Sequence, residues 1–153
     1  MLPTPSKFTV VAGSAEGPSH LNAFDNALLV AGIGNLNLLR VSSILPPKAQ
    51  EVAILEVAPG SLVPTAYGSI SADEPGLVIA AAVAVGLGAD DECGVIMEFS
   101  GRCSREEAAH TVETMARNAL RQRERQPARI IVRAVEHRVQ SIGCAFAGVA
   151  LWY

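Results

Sequence analysis

Apolar and polar positions alternate every second residue along much of this chain and recur at helical spacing in two stretches. After an arm over residues 1–7 that carries two prolines, Phe8-Thr9-Val10-Val11-Ala12 reads as a short strand. Gly13 to His20, with Gly13, Ser14, Gly17, Pro18 and Ser19, reads as a loop. Asn22 is placed to cap a helix from about Ala23 to Ala31, and Gly32 to stop it. From Asn35 to Val41 the period returns to two. Asn37, Leu39 and Val41 fall on one face, and Leu36, Leu38 and Arg40 on the other. Glu51 to Val57 and Leu62 to Ser71 read as further strands. Pro64 and Gly68 interrupt the second, which is therefore expected to be bent or at a sheet edge.

Beyond the turn Asp73-Glu74-Pro75-Gly76, Leu77 to Leu87 holds almost nothing polar, as expected of a strand buried on both faces. Gly94 to Ser100 is an apolar strand bearing one acid, Glu98. Ser104 to Gln126 is the clearest helix. Ser104 and Glu107 form a capping box; Ala108, Val112, Met115, Ala116 and Ala119 form the apolar stripe; Pro127 ends it. Arg129 to Gln140 and Ile142 to Tyr153 are the last strands, the final one apolar enough to belong inside a sheet or an oligomer contact. Two helices with about seven or eight strands predict an α+β fold, sheets packed on each other and helices outside.

Composition narrows the function. At 153 residues and 50% hydrophobic, the chain fits one domain with a real core. Only 18% of residues are charged, which leaves apolar surface for subunit contacts. A net charge of -3 with no basic stripe argues against nucleic acid. Leu77 to Leu87 is too short for a bilayer, which needs about 20 residues, and Met1-Leu2-Pro3 does not lead into a signal peptide. Cys93, Cys103 and Cys144 form no C-x-x-C pair; a reduced, cytoplasmic protein is expected, each cysteine acting as a small buried hydrophobe. His20, His110 and His137 lack ligand spacing, so no metal site is expected. Gly13 and Gly17, without G-K-[ST], make no phosphate loop.

Candidate chemistry gathers at Arg40-Val41-Ser42-Ser43-Ile44-Leu45-Pro46-Pro47. Two serines stand where a strand gives way to a rigid Pro-Pro turn, a place where backbone strain can be stored. Three more residues stand out. Glu98, on an apolar strand beside Ile96, is costly to ionise unless paired, and desolvation would raise its pKa; structural pairing and function both fit. Asn37 shares a face with apolar residues and needs partners, structural or catalytic. Asp25 lies near Leu21, Leu29 and Gly32, as either an acid favoured by a helix N-terminus or a ligand-binding carboxylate.

Several segments, in order, resemble the pyruvoyl-dependent arginine decarboxylases. They are Val11-Ala12-Gly13-Ser14, Leu21-Asn22-Ala23-Phe24-Asp25, Ala31 to Asn37, Ser42 to Pro47, Leu62 to Gly68, Gly94-Val95-Ile96-Met97-Glu98, Ala134-Val135-Glu136-His137 and Gly143 to Ala147. The resemblance covers nearly the whole chain. It implies a four-layer αββα sandwich with mostly antiparallel sheets, and trimers with active sites between subunits. It also implies self-cleavage between Ser42 and Ser43 into residues 1–42 and 43–153, the latter capped by a pyruvoyl group derived from Ser43. That ketone forms a Schiff base with the amine of arginine and serves as an electron sink, without pyridoxal phosphate or metal. By the same resemblance Glu98 reprotonates Cα and Asn37 hydrogen-bonds near the pyruvoyl. Asp25 accepts the guanidinium, Gly34 and Leu36 line that end, and the new Ser42 carboxylate stays nearby. The expected activity is a lyase making agmatine for polyamine synthesis. Two alternatives keep the same fold: pyruvoyl chemistry on another amino acid, and a trimeric homologue that never matures.

Overall fold

The computed structural model describes residues 2–153. Its elements run β1 (Lys7–Glu16), α1 (His20–Ala31), β2 (Asn37–Arg40), β3 (Ile44–Leu45), β4 (Gln50–Glu51), β5 (Leu62–Ala72), β6 (Val78–Leu87), β7 (Gly94–Gly101), α2 (Arg105–Gln122), β8 (Arg129–Arg138) and β9 (Gly143–Trp152). The strands form a five-stranded sheet, β2-β5-β9-β1-β4, and a four-stranded sheet, β3-β7-β6-β8. Most neighbours are antiparallel; β1 with β4 and β2 with β5 are parallel.

Burial stacks these elements into the expected αββα sandwich. Alternate residues of β1, β5 and β9 meet alternate residues of β6, β7 and β8 in the central core, including Val10, Ala66, Val149, Val83 and Ile96. The other face of the four-stranded sheet, with Ala80, Ala82 and Val95, is covered by Ala108, Val112, Ala116 and Leu120 of α2. The outer face of the five-stranded sheet, with Cys144 and Phe146, is covered by Ala23, Ala27 and Leu28 of α1. β6 and β9 are buried on both faces and therefore read as continuous apolar runs.

Several expectations need correction. β1 does not stop at Ala12 but runs on to Glu16, paired with β9 throughout. Gly13 belongs to this strand because α1 lies against it: a Cβ there would stand 2.4 Å from the Ala27 carbonyl oxygen and 2.7 Å from the Ala31 nitrogen. Gly13→Ala is expected to cost about 1–3 kcal/mol of stability by overpacking, read as an earlier thermal unfolding transition; an unchanged transition would show that α1 yields freely. Glu16, expected in a loop, fastens the β8–β9 turn. Its Oε1 accepts from the Ser141 and Gln140 amides at 2.6 and 3.2 Å, and its Oε2 lies 2.5 Å from His137 Nε2.

α1 starts earlier than expected and is capped by Ser19, whose hydroxyl accepts from the Asn22 amide. Gly32 ends it in the left-handed region at φ 86°. Of Glu51 to Val57, only Glu51 is strand. β5 is not an edge. Pro64 falls one residue before the ladder with β9 begins at Thr65 opposite Ala150, so its missing N–H removes nothing from that ladder. α2 keeps its capping box but ends at Gln122, and Arg123 to Gln126 lie outside it. Cys144 is buried, and burial pushes its thiol up to about 11. Cys93 and Cys103 are only half-buried.

Candidate active site

The Ser42–Ser43 peptide lies where the chain leaves one sheet for the other. β2 forms the edge of the five-stranded sheet and β3 the edge of the four-stranded sheet. Only Val41, Ser42 and Ser43 separate them. Each end of this crossing is tied to a different sheet. The Val41 amide donates to the Thr65 carbonyl at 3.2 Å, and the Ser43 carbonyl accepts from the Ile96 amide at 2.7 Å. Ser42 is exposed and Ser43 half-buried. Among the described residues, positive φ outside glycine occurs at Lys48 and Glu124, so the serine pair carries no left-handed strain.

The same register sets Ile96 opposite Ser43 and carries Glu98, two residues further along β7, to the same side. Ile44 pairs with Val95 and Leu45 with Gly94. Leu45 points into the central core, and alternation carries Ser43 to the same side. Ile96 also points there, so Glu98, two residues on, shares that side. The partial burial anticipated for Glu98 is found. It raises the carboxyl above its ordinary value, with the Arg40 guanidinium pulling the other way. Gly68 lets the sheets close together here, since a Cβ on it would lie 3.3 Å from the Phe99 backbone.

The remaining candidates stand apart from this pair. Asp25 is exposed on α1, on the face of that helix that also exposes Leu21 and Leu29. Among the described residues it enters no ion pair. Gly34 packs under Leu29, where a Cβ would come within 2.6 Å of that side chain, and Leu36 joins the core beneath α1. Asn37 was expected on a partly apolar face. It is instead exposed on the β2 edge, its Nδ2 donating to the Gly60 carbonyl at 2.8 Å. Asp25, Gly34 and Leu36 thus belong to the outer side of the five-stranded sheet, and Ser43 and Glu98 to the inner side. A cavity of about 520 Å³ does not coincide with either group. It follows the β1 edge, where β4 pairs only Lys7 and Phe8, and is lined by Thr9, Ala12, Glu51, Ala53 and Arg133.

Arg40 is the residue at this site that the sequence pattern did not single out. Its Nη2 donates to the Tyr67 carbonyl at 2.8 Å, and its guanidinium carbon sits 4.6 Å from the Tyr67 ring centre. The signal available was its place two residues before Ser42.

A profile of the family described as pyruvoyl-dependent arginine decarboxylase matches residues 7–152. A Methanocaldococcus jannaschii protein of that name is 52% identical over 150 residues, covering 97% of this chain and 91% of its own. One from Methanococcus aeolicus is 47% identical with the same coverage. One from Thermococcus kodakarensis is 46% identical over 121 residues, covering 78% of this chain and 77% of its own. No helix among the described residues is long and apolar enough to cross a membrane.

Proposed function

Because this chain belongs to the pyruvoyl-dependent arginine decarboxylase family, we propose that it converts L-arginine to agmatine and carbon dioxide, using a pyruvoyl group made from its own Ser43. The observation that carries this reading is the tethered sheet-to-sheet crossing at Ser42–Ser43, with a desolvated Glu98 on the same side of the strand that Ser43 bonds to. A half-buried position flanked by apolar Ile96 and Leu45, with one carboxyl beside it, fits a small ketone and a proton donor.

Maturation needs only the chain and water. The Ser43 hydroxyl attacks the Ser42 carbonyl carbon; the peptide C–N bond breaks as the ester C–O bond forms. Loss of the residue-43 α-proton then breaks the Cβ–O bond, freeing a carboxylate on Ser42 and leaving a dehydroalanine. Water replaces ammonia there, and residues 43–153 carry the pyruvoyl at their new N-terminus. In the mature enzyme that group would supply an electrophile for the amine of arginine and an electron sink for the carbon that loses carbon dioxide. Glu98 supplies the proton to that carbon. Asn37 hydrogen-bonds near the ketone. The two oxygens of Asp25 meet the fork of the substrate guanidinium, with the backbone of Gly34 and Leu36 around it.

Asp25 and Glu98 lie on opposite sides of the five-stranded sheet, which supports a site assembled from two protomers of a trimer. Exposed Leu21 and Leu29 beside Asp25, with Leu39 on β2, Ile44 on β3 and Leu62 at the start of β5, supply apolar surface for such contacts. A cytoplasmic enzyme of polyamine synthesis is the setting this reaction fits.

Asp25→Asn is expected to mature normally and to bind arginine about tenfold to a hundredfold more weakly, since a charge-assisted contact is worth about 1.5–3 kcal/mol. Titration with arginine checks this. Unchanged affinity would mean that another group reads the guanidinium, and reopens the choice of amino acid.

A further inference from the structure

Asp25 leaves α1 on the side away from the sheet. At roughly 100° per residue it stands about 160° around the axis from both Ala23 and Ala27, the residues that bury the helix against Cys144 and Phe146. A carboxylate there lies roughly 5–6 Å from the axis, so a turn of α1 by about 10° carries it about 1 Å. The paired bonds of a carboxylate to a guanidinium are lost over a shift of that size. The alanine face sets how close the helix lies but does little to stop it turning.

The two residues beside Asp25 supply that stop. Phe24, on one flank, has its ring centre 5.9 Å from that of Phe146 and 6.2 Å from that of Tyr67. Asn26, on the other flank, is half-buried and donates from Nδ2 to the Glu16 carbonyl at 3.0 Å. Its anchor is itself fixed. Glu16 pairs with Gly143 of β9, and its carboxylate accepts from the Ser141 and Gln140 amides and lies against His137 Nε2. The start of α1 is held separately, with His20 Nδ1 2.9 Å from the Ser71 hydroxyl oxygen. His20 thus fixes where the helix begins, and Asn26 which way it faces.

Resting on the reading of Asp25 as the carboxylate that meets the guanidinium, we propose that Asn26 is a positioning residue. Its bond to the Glu16 carbonyl sets the rotation of α1 and so aims Asp25 out of its own protomer, toward the substrate. Asn26 touches neither arginine nor the ketone. Its loss weakens the hold on the guanidinium and leaves the chemistry at Ser43 and Glu98, on the other side of the five-stranded sheet, unchanged. Its loss also strips the Glu16 carbonyl of a donor and lowers stability, so aim and stability have to be separated.

Asn26→Ala, Asn26→Leu and Asn26→Gln are compared with wild type once intact mass has shown complete cleavage. Asn26→Ala should raise KM for arginine about threefold to tenfold, the size of one hydrogen bond, with kcat within about twofold of wild type. Asn26→Gln keeps a donor on a longer arm and should fall between. Val112→Ala, under α2 on the other sheet, is the stability control: it should lower the thermal transition and leave KM alone. The deciding measurement is a double-mutant cycle with Asp25→Asn. In that background Asn26→Ala should add no further rise in KM, because no carboxylate is left to aim. A cleaved Asn26→Ala enzyme with the wild-type KM, a rise that persists in full beside Asp25→Asn, or one that Val112→Ala reproduces overturns the proposal. Should Asn26→Ala fail to mature, Asn26→Leu, which keeps the bulk without the donor, carries the same comparisons. Failure of all three to mature makes Asn26 a folding residue and also overturns it. If Asp25→Asn alone binds arginine as the wild type does, the guanidinium reading has failed and the proposal with it, whatever Asn26 does.

Discussion

Ser43→Ala is expected to stay one chain and to show no decarboxylation, and the wild type to separate on a denaturing gel into residues 1–42 and 43–153. The substitution removes a single hydroxyl at a half-buried position. The fold has no need of that oxygen: the tie from the crossing to β7 runs through the Ser43 carbonyl and the Ile96 amide, both backbone. Alanine also tolerates the extended backbone on either side. The variant should therefore fold as the wild type does, with the same circular dichroism, and fail only in chemistry. Without the hydroxyl no ester can form at Ser42, no elimination can follow, and no ketone appears. The larger wild-type fragment should resist stepwise sequencing from its N-terminus, because that end carries no amine. Efficient cleavage of Ser43→Ala at the same bond would rule out this route.

Glu98→Gln should lower the turnover of arginine by about 10²–10⁴, the usual contribution of a positioned general acid. Burial holds the Glu98 carboxyl above its ordinary value, so more of it is protonated near neutral pH than an exposed glutamate would be. Glutamine keeps the volume and the hydrogen-bonding capacity but has no carboxyl proton to give. Uptake of arginine on the ketone precedes the protonation step, so borohydride should still fix substrate to the larger fragment of the variant. Glu98 shares the side of Ser43 and could also assist cleavage, so the pyruvoyl content of each preparation must be measured and the rate expressed per ketone. In heavy water the wild type should place one deuterium on the carbon that lost its carboxylate. A fully processed Glu98→Gln enzyme with the wild-type rate would show that the proton comes from elsewhere.

The continuous apolar runs of β6 and β9 and the capped periodicity of α2 were legible because the two strands bury both faces and the helix buries a regular stripe. Glu98 was legible for the same reason: an acid in an apolar strand must answer for its desolvation. The misread stretches depend on packing that no local pattern encodes. Gly13 looks like a loop residue until α1 is laid across it. Residues 52–57 are apolar enough for a strand, but the ladder along Lys7 and Phe8 takes in only Gln50 and Glu51 and ends where the Val52 amide donates to the Phe8 carbonyl. Asn37 shares an apolar pattern with Leu39, yet β2 is an edge and leaves both exposed. Arg40 reads as an ordinary charge at a strand end, because its partner Tyr67 lies on a distant strand of the sequence. The assignment of Ser43 rests on the resemblance in its surroundings, since a Ser-Ser pair before two prolines has no chemistry of its own.

The most direct measurement is the intact mass of the purified wild-type protein, taken before and after incubation with arginine and sodium borohydride. The account predicts two chains, residues 1–42 with a free carboxylate and residues 43–153 with a ketone in place of the Ser43 amine. The larger chain alone should gain the mass of a covalently reduced substrate or product. A single unmodified chain of 153 residues that gains nothing from arginine would contradict it.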